Sequence, residues 1–247
     1  MVMKNIILKL LLATLPSMAL ASGGEVRLDR APVNLNNQVS LQRGAKYFVN
    51  YCLNCHAAAY MRYSRLQDLG LNEQQIKDNL MFTTDKIGNT MTTALNPVDA
   101  KDWFGAVPPD LSVIARSRGS DWLYTYLRTY YRDDKSPTGW NNETFPNVGM
   151  PHVLHELQGV RVMQSVGEHI GHDGKKEPIM KPVLVQPGVL SQPEYDQMVG
   201  DLVNYLTYMG EPARAQRTQV GVIALFVLGV LFVLALLLKL EYWKDVK

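Results

Sequence analysis

Apolar positions are unevenly spread along this chain: both ends are continuously apolar, and the middle is amphipathic or irregular. Val220–Leu238 is 19 consecutive residues without a charge. At a helical rise of 1.5 Å per residue the stretch reaches roughly 28 Å, one hydrocarbon core. Tyr242 and Trp243 suit a membrane interface, and Lys239, Lys244 and Lys247 favour a cytoplasmic tail. No pair of small residues four apart marks a helix-pairing face. At the other end, Lys4 and Lys9 accompany the run Leu10-Leu11-Leu12-Ala13, and Ala19-Leu20-Ala21 is a small-x-small cleavage site. This is the anatomy of an export signal. An anchor is the alternative, but the run is short and Pro16 breaks it. The pattern predicts cleavage after Ala21 and one membrane span, N-terminus out and C-terminus in.

Between these ends, 22–39 reads as a polar, extended lead-in with Pro32 and the cluster Asn34–Asn37. From Ser40, an N-cap candidate, Leu41, Ala45, Phe48, Val49 and Cys52 fall on one helical face. Gly44 lies one turn from Phe48 on that face and would let another helix come close. Tyr60, Tyr63 and Leu66 continue at helical spacing, and Asn72–Asn79 reads as a short surface helix. Periodicity is poor from Thr83 to Trp103. Trp122, Tyr124, Tyr126, Leu127, Tyr130 and Tyr131 form an aromatic run of helical spacing, which more often means core than cofactor wall. Residues 132–190 are rich in proline and glycine. Short strands are expected at Val160–Val166 and Met180–Val185, as a hairpin around Gly171–Gly174. His152, His155, His169 and His172 read as surface or capping residues. Glu194–Met209 is a helix with a capping box, Ser191 with Glu194, stopped by Gly210 and Pro212. Ala213–Gln219 reads as a polar linker.

The formal charge of +2 comes from the two ends. Between Ser22 and Gln219 there are 20 Lys and Arg against 21 Asp and Glu, and no basic stripe. Nucleic acid is therefore excluded as a partner class.

The chain has two cysteines, and both lie in Cys52-Leu53-Asn54-Cys55-His56. This is the attachment motif of a c-type haem. Two thiols one turn apart can add to both vinyl groups of one porphyrin, and His56 can hold the iron from the proximal side. A thioredoxin-like redox pair would want a βαβ context, and a zinc site would want further ligands. Export agrees with haem attachment, which in bacteria takes place outside the cytoplasm. In Pro108-Pro109-Asp110-Leu111-Ser112, the prolines stiffen the backbone and leave free carbonyls, which an axial histidine uses to orient its second nitrogen. A proline turn capped by Asp110 or Ser112 is the simpler alternative. Arg116 and Arg118 can neutralise propionates or lie solvated at the surface.

The sixth iron position decides function, because axial ligation commands about 0.8 V of potential. Met150 lies far along the chain in a Gly149-Met150-Pro151 loop that can present a side chain rigidly. Met81 and Met91 are rivals, while Met198 and Met209 sit on a core face.

These residues resemble the cytochrome c1 family, the haem subunits of proteobacterial ubiquinol–cytochrome c reductase (the cytochrome bc1 complex). The resemblance spans nearly the whole mature chain. It rests on Cys52–His56, Gly105–Ser112, Phe145–Pro151, and Tyr208-Met209-Gly210-Glu211-Pro212 with Arg217. It implies a mainly α chain: a class I cytochrome c-like haem domain with long loop insertions, plus one C-terminal transmembrane helix. The expected layout is a signal at 1–21, a periplasmic haem domain at 22–212, a linker at 213–219, a span at 220–238 and a cytoplasmic tail at 239–247. One haem c would be bound through Cys52 and Cys55, with His56 and Met150 as axial ligands. Pro109 would meet the proximal imidazole and Arg118 a propionate. Trp122 stands where some relatives carry tyrosine. The implied partners are a cytochrome b subunit, a Rieske iron–sulfur protein as electron donor and a cytochrome c as acceptor. They would sit in a dimeric complex of the bacterial inner membrane, within which the chain itself makes and breaks no substrate bonds. An anchored cytochrome subunit of a terminal oxidase is the nearest alternative. A haem sensor or peroxidase with an open sixth site is another.

Overall fold

The computed structural model describes residues 27–170 and 175–245. The expected signal at 1–21, and the hairpin tip with His172, lie outside them.

Among the described residues the first helix, α1, is Gln38–Tyr47. Its cap is Asn37, whose Oδ1 accepts from the Ser40 N–H at 3.1 Å. The expected cap, Ser40, is instead buried, its hydroxyl accepting from Asn204 Nδ2 at 3.0 Å. The helix loosens into a π turn at Phe48–Cys52, where the Leu53 N–H reaches the Phe48 carbonyl at 3.0 Å. Such bulges often sit at functional sites, and this one delivers the first cysteine.

The helical spacing of Tyr60, Tyr63 and Leu66 misled: strand β1 is Ala58–Arg62, followed by a 3-10 segment at Tyr63–Leu69. Asn72 caps α2 (Glu73–Leu80) with a capping box to Gln75, as the surface helix required. Strand β2, Thr90–Met91, pairs antiparallel with β1. Helix α3, Pro97–Phe104, starts from Asn96 with proline in its first turn. The short α4 is Ile114–Ser117, and Trp122 to Leu127 of the aromatic run lie in α5, Ser120–Arg128, whereas Tyr130 and Tyr131 leave the helix for a strand.

Strands β3 (Tyr130–Arg132) and β4 (Trp140–Asn142) follow, then α6, a single turn at His155–Gln158. Strands β5 (Gly159–Ile170) and β6 (Lys176–Pro187) are 12 residues each, longer than expected. They make a four-stranded sheet in the order β4-β3-β5-β6, with β3 and β5 parallel. Gly159 and Gly188 pass so closely that a Cβ on Gly188 would lie 2.4 Å from the Gly159 nitrogen. A mainly α chain is thus only a rough description.

Helix α7, Gln192–Gly210, has the expected box, with the Glu194 carboxylate accepting from the Ser191 N–H at 2.8 Å. It is the spine of the core: Tyr195, Val199, Val203 and Tyr205 are fully buried. It crosses α1 at Gly44, where an added Cβ would lie 2.1 Å from the Asp201 carbonyl oxygen. Phe48 and Tyr205 meet beside the crossing with ring centroids 5.6 Å apart, and Arg43 pairs with Asp201 at 2.5 Å. The lead-in straps across α5 and α7. The Asp29 N–H donates to Thr125 Oγ1 and the Ala31 N–H to Asp121 Oδ1, both at 2.8 Å. Asn34 exchanges bonds with the Asn204 side chain.

Helix α8 runs from Arg214 to Trp243. The stretch read as a linker is helical from Arg214 and continuous with the apolar run. Gln219–Trp243 is long and apolar enough to cross a membrane, and none of it is buried against the domain. It fits a single-pass anchor.

Candidate haem site

The Cys52 carbonyl organises the motif, accepting from the Cys55 N–H at 3.1 Å and the His56 N–H at 2.8 Å. Both thiols and His56 thereby line one cavity of about 310 Å³. Burial pushes the Cys52 thiol up to about 12, with Cys55 adding to it, and burial raises Cys55 as well. A redox pair needs the opposite, a lowered thiol. Among the described residues no group of three or more His, Cys, Asp or Glu side chains is placed to hold a metal ion.

The proline run is laced to the chain beside the motif. The Leu111 N–H donates to the Ala57 carbonyl, the Ala59 N–H to Asp110 Oδ2, and the Tyr60 N–H to Ser112 Oγ at 3.0 Å. Asp110 Oδ1 also accepts from the Ser112 N–H at 2.8 Å. Asp110 and Ser112 therefore tie this run to β1 and do not cap a helix. The lacing brings the Pro109 carbonyl to 2.8 Å from His56 Nδ1. A carbonyl only accepts, so Nδ1 carries the proton and Nε2 keeps its lone pair. Burial holds the imidazole below its usual range, against the Pro109 bond and the charge of Asp110.

Met150 lines the same cavity, whereas Met81 and Met91 are buried and do not. Met91 Sδ instead accepts from Tyr205 at 3.6 Å. Two buried asparagines shape the Met150 loop. Asn142 Oδ1 accepts from the N–H groups of Thr144 and Phe145, at 2.8 and 3.0 Å. Asn141 Oδ1 accepts from the Asn147 N–H at 2.8 Å. Asn147 adopts φ 60°, the left-handed region that asparagine tolerates. A Cβ on Gly149 would lie 3.3 Å from the Phe104 carbonyl. Sequence reasoning missed both Asn141 and Asn142. Their signal was an Asn-Asn pair just ahead of the Phe-Pro-Asn turn.

Trp122 and Tyr126, expected as core, also wall the cavity, stacked on each other at 4.8 Å. Tyr126 donates to Met150 Sδ at 3.4 Å. Arg118 lines the cavity and lies over the Trp122 and Phe145 rings, 5.1 and 5.8 Å from their centroids. Arg116 does not line it; its stem packs toward Gly210. His152, read as a surface residue, is 3% exposed. It stacks on Tyr130 at 4.6 Å and bonds Gln158 at 2.6 Å, and burial lowers it to about 3. His155 does act as a turn partner, its Nδ1 bonded to the His152 carbonyl.

The donor set fits a c-type haem: two thiols for the vinyl groups, an oriented neutral imidazole, a thioether, and apolar walls. Fold and site together define a class, a domain with a pocket suited to covalently held haem, followed by an apolar helix suited to anchoring it. The chain belongs to the Cytochrome C1 family, whose model matches residues 30–246. It is 50% identical over 246 residues to "Cytochrome c1" of Allochromatium vinosum, covering 99% of this chain and all of that one. It is 47% identical over 243 residues to "Ammonia monooxygenase gamma subunit" of Nitrosomonas europaea, covering 98% of each. It is 29% identical to "Cytochrome c1" of Rhodospirillum rubrum, over 93% of this chain and 95% of that one.

Proposed function

We propose that this chain is the haem-bearing electron-transfer subunit of a ubiquinol–cytochrome c reductase. In this reading it takes one electron from a Rieske iron–sulfur protein and passes it to a cytochrome c. Cys52 and Cys55 hold the haem covalently, in a class I cytochrome c-like domain. His56 and Met150 would hold its iron. The haem, when bound, supplies a one-electron iron couple; the chain holds, orients and insulates it. Pro109 fixes the His56 ring through Nδ1, which leaves the Nε2 lone pair to hold the iron. Burial keeps the imidazole neutral and able to ligate. Arg118 serves a propionate, its cation lying over the Trp122 and Phe145 rings. The domain at 22–212 faces the periplasm and the tail at 239–247 the cytoplasm. A cytochrome b subunit partners the chain within a dimeric complex of the inner membrane.

The observation that carries this reading is the 2.8 Å bond from His56 Nδ1 to Pro109, in a cavity that also holds Met150. A sensor or peroxidase needs the sixth position open, and a thioether in the cavity argues against it. Purification of the native membrane complex tests the assignment. Co-purifying b-type haems and an iron–sulfur protein support a reductase. A copper-containing partner would instead point to another oxidoreductase.

A further inference from the structure

Two phenols meet at the candidate sixth ligand. Tyr126 in α5 and Tyr130 in β3 bring their hydroxyl oxygens to 2.5 Å. Tyr126 Oη is 3.4 Å from Met150 Sδ, and Tyr130 Oη is 3.3 Å from the Met150 carbonyl oxygen. Both rings are buried and clamped by stacking: Tyr126 on Trp122 with an interplanar angle of 11°, Tyr130 on His152 with 4°.

Each phenol has one proton to donate, and the 2.5 Å contact between the two oxygens must hold one of them, which leaves two arrangements. In the first, Tyr130 donates to Tyr126 and Tyr126 donates to Met150 Sδ, so the carbonyl receives nothing from this pair. In the second, Tyr126 donates to Tyr130 and Tyr130 donates to the Met150 carbonyl, leaving the sulfur bare. They differ only by rotation of two hydroxyl hydrogens. A sulfur that shares a lone pair with ferric iron is electron-poorer, and a weaker acceptor, than one bound to ferrous iron. The first arrangement therefore matches the reduced state and the second the oxidised state.

We propose that Tyr126 and Tyr130 are a positioning pair that raises the potential by holding a proton at Met150 Sδ, and that their hydroxyls exchange arrangements with oxidation state. The proposal rests on Met150 being the iron ligand. The test is a redox titration of the purified full-length haem protein with Tyr126→Phe and Tyr130→Phe, beside its ferric spectrum. Tyr126→Phe removes the proton aimed at sulfur. It should shift the one-electron equilibrium toward the oxidised form by about threefold to tenfold, tenfold being about 59 mV. Tyr130→Phe removes the competing acceptor and commits the Tyr126 proton to sulfur. It should leave the equilibrium unchanged or shift it toward the reduced form. A packing defect would move both variants the same way. The sulfur–iron charge-transfer band should persist in both. An unmoved potential in Tyr126→Phe, or equal downward shifts in the two, overturns the proposal. Loss of the band in either variant also overturns it, since the pair would then be holding the ligand in place and not tuning it. A native protein without the band overturns the ligand reading, and the proposal with it.

Discussion

The Gly44 crossing makes a quantitative demand on stability. Replacing Gly44 with alanine would set a Cβ 2.1 Å from the Asp201 carbonyl oxygen and 2.6 Å from Tyr205 Cβ. Ordinary contact begins near 3.4 Å, so α1 and α7 must part by roughly 1 Å. The obstacle on the α7 side is backbone and a Cβ, which no rotamer change can move. Overpacking a tight core costs about 1–3 kcal/mol, and a strained ring pair such as Phe48–Tyr205 adds about 0.5–1.5 kcal/mol. Against this, alanine gains about 1 kcal/mol over glycine in a helix. The sum runs from about 0.5 to 3.5 kcal/mol of destabilisation and centres near 2 kcal/mol, a fall in melting temperature of about 4–8 °C for a domain this size. Thermal unfolding of the purified full-length protein in detergent, followed by circular dichroism, measures it. Gly88→Ala is the control, because a Cβ there meets nothing within 4 Å. If Gly44→Ala melted within a degree of the native protein, close helix approach would not explain this glycine.

Other expectations follow from individual contacts. Arg128 binds Asp196 through two nitrogens at 2.6 and 2.9 Å, reaches Asp29 at 2.7 Å and lies 4.4 Å over the Tyr124 ring. Arg128→Ala should cost about 1.5–3 kcal/mol, the range for hydrogen bonds to charged groups, and release the lead-in, read as faster limited proteolysis before Gln38. Burial pushes the Asp110 carboxyl up, but bonds from Ser112 and Ala59 outweigh it and hold it below the usual range. Its contribution is therefore present above the unfolded value near pH ~3.9 and lost as pH falls through the lower folded value. Asp110→Ala should lower stability at neutral pH, and the gap from the native protein should close below about pH 4, in acid unfolding curves. Leu228→Arg places a charge in the middle of the apolar stretch, at about 2.5–3.5 kcal/mol. Alkaline washing of membranes should extract this variant and leave the native chain behind.

What sequence could reveal depended on how locally each feature is determined. The cysteine motif, the capping box at Ser191 and the uninterrupted apolar stretch are local, and the helices begin and run where those signals put them. Gly44 was legible as a close-approach glycine because its face also carries Phe48. Ala58–Arg62 was not: Tyr60, Tyr63 and Leu66 keep helical spacing, but pairing with β2 and lacing to the proline run hold the segment extended. The long hairpin was underestimated because its outer half is exposed, with Val166 and Ile170 facing solvent, so no alternating burial marks its length. At the site, Met81 and Met91 equalled Met150 in residue type; the Gly149-Met150-Pro151 setting favoured Met150, and tertiary placement in the cavity separates the three. Asn141 and Asn142 look like turn residues, yet they are buried scaffolds for a loop in which Asn147 takes a positive φ. His152 looked solvated because nothing local announces the Tyr130 and Trp140 rings that enclose it.

The central claim is that His56 and Met150 share one iron in the cavity that Cys52 and Cys55 line. The most direct measurement is the ferric absorption spectrum of the purified full-length protein beside that of Met150→His. The account predicts a sulfur–iron charge-transfer band in the native protein and none in the variant. A native spectrum without the band, or a band that survives the substitution, would contradict it.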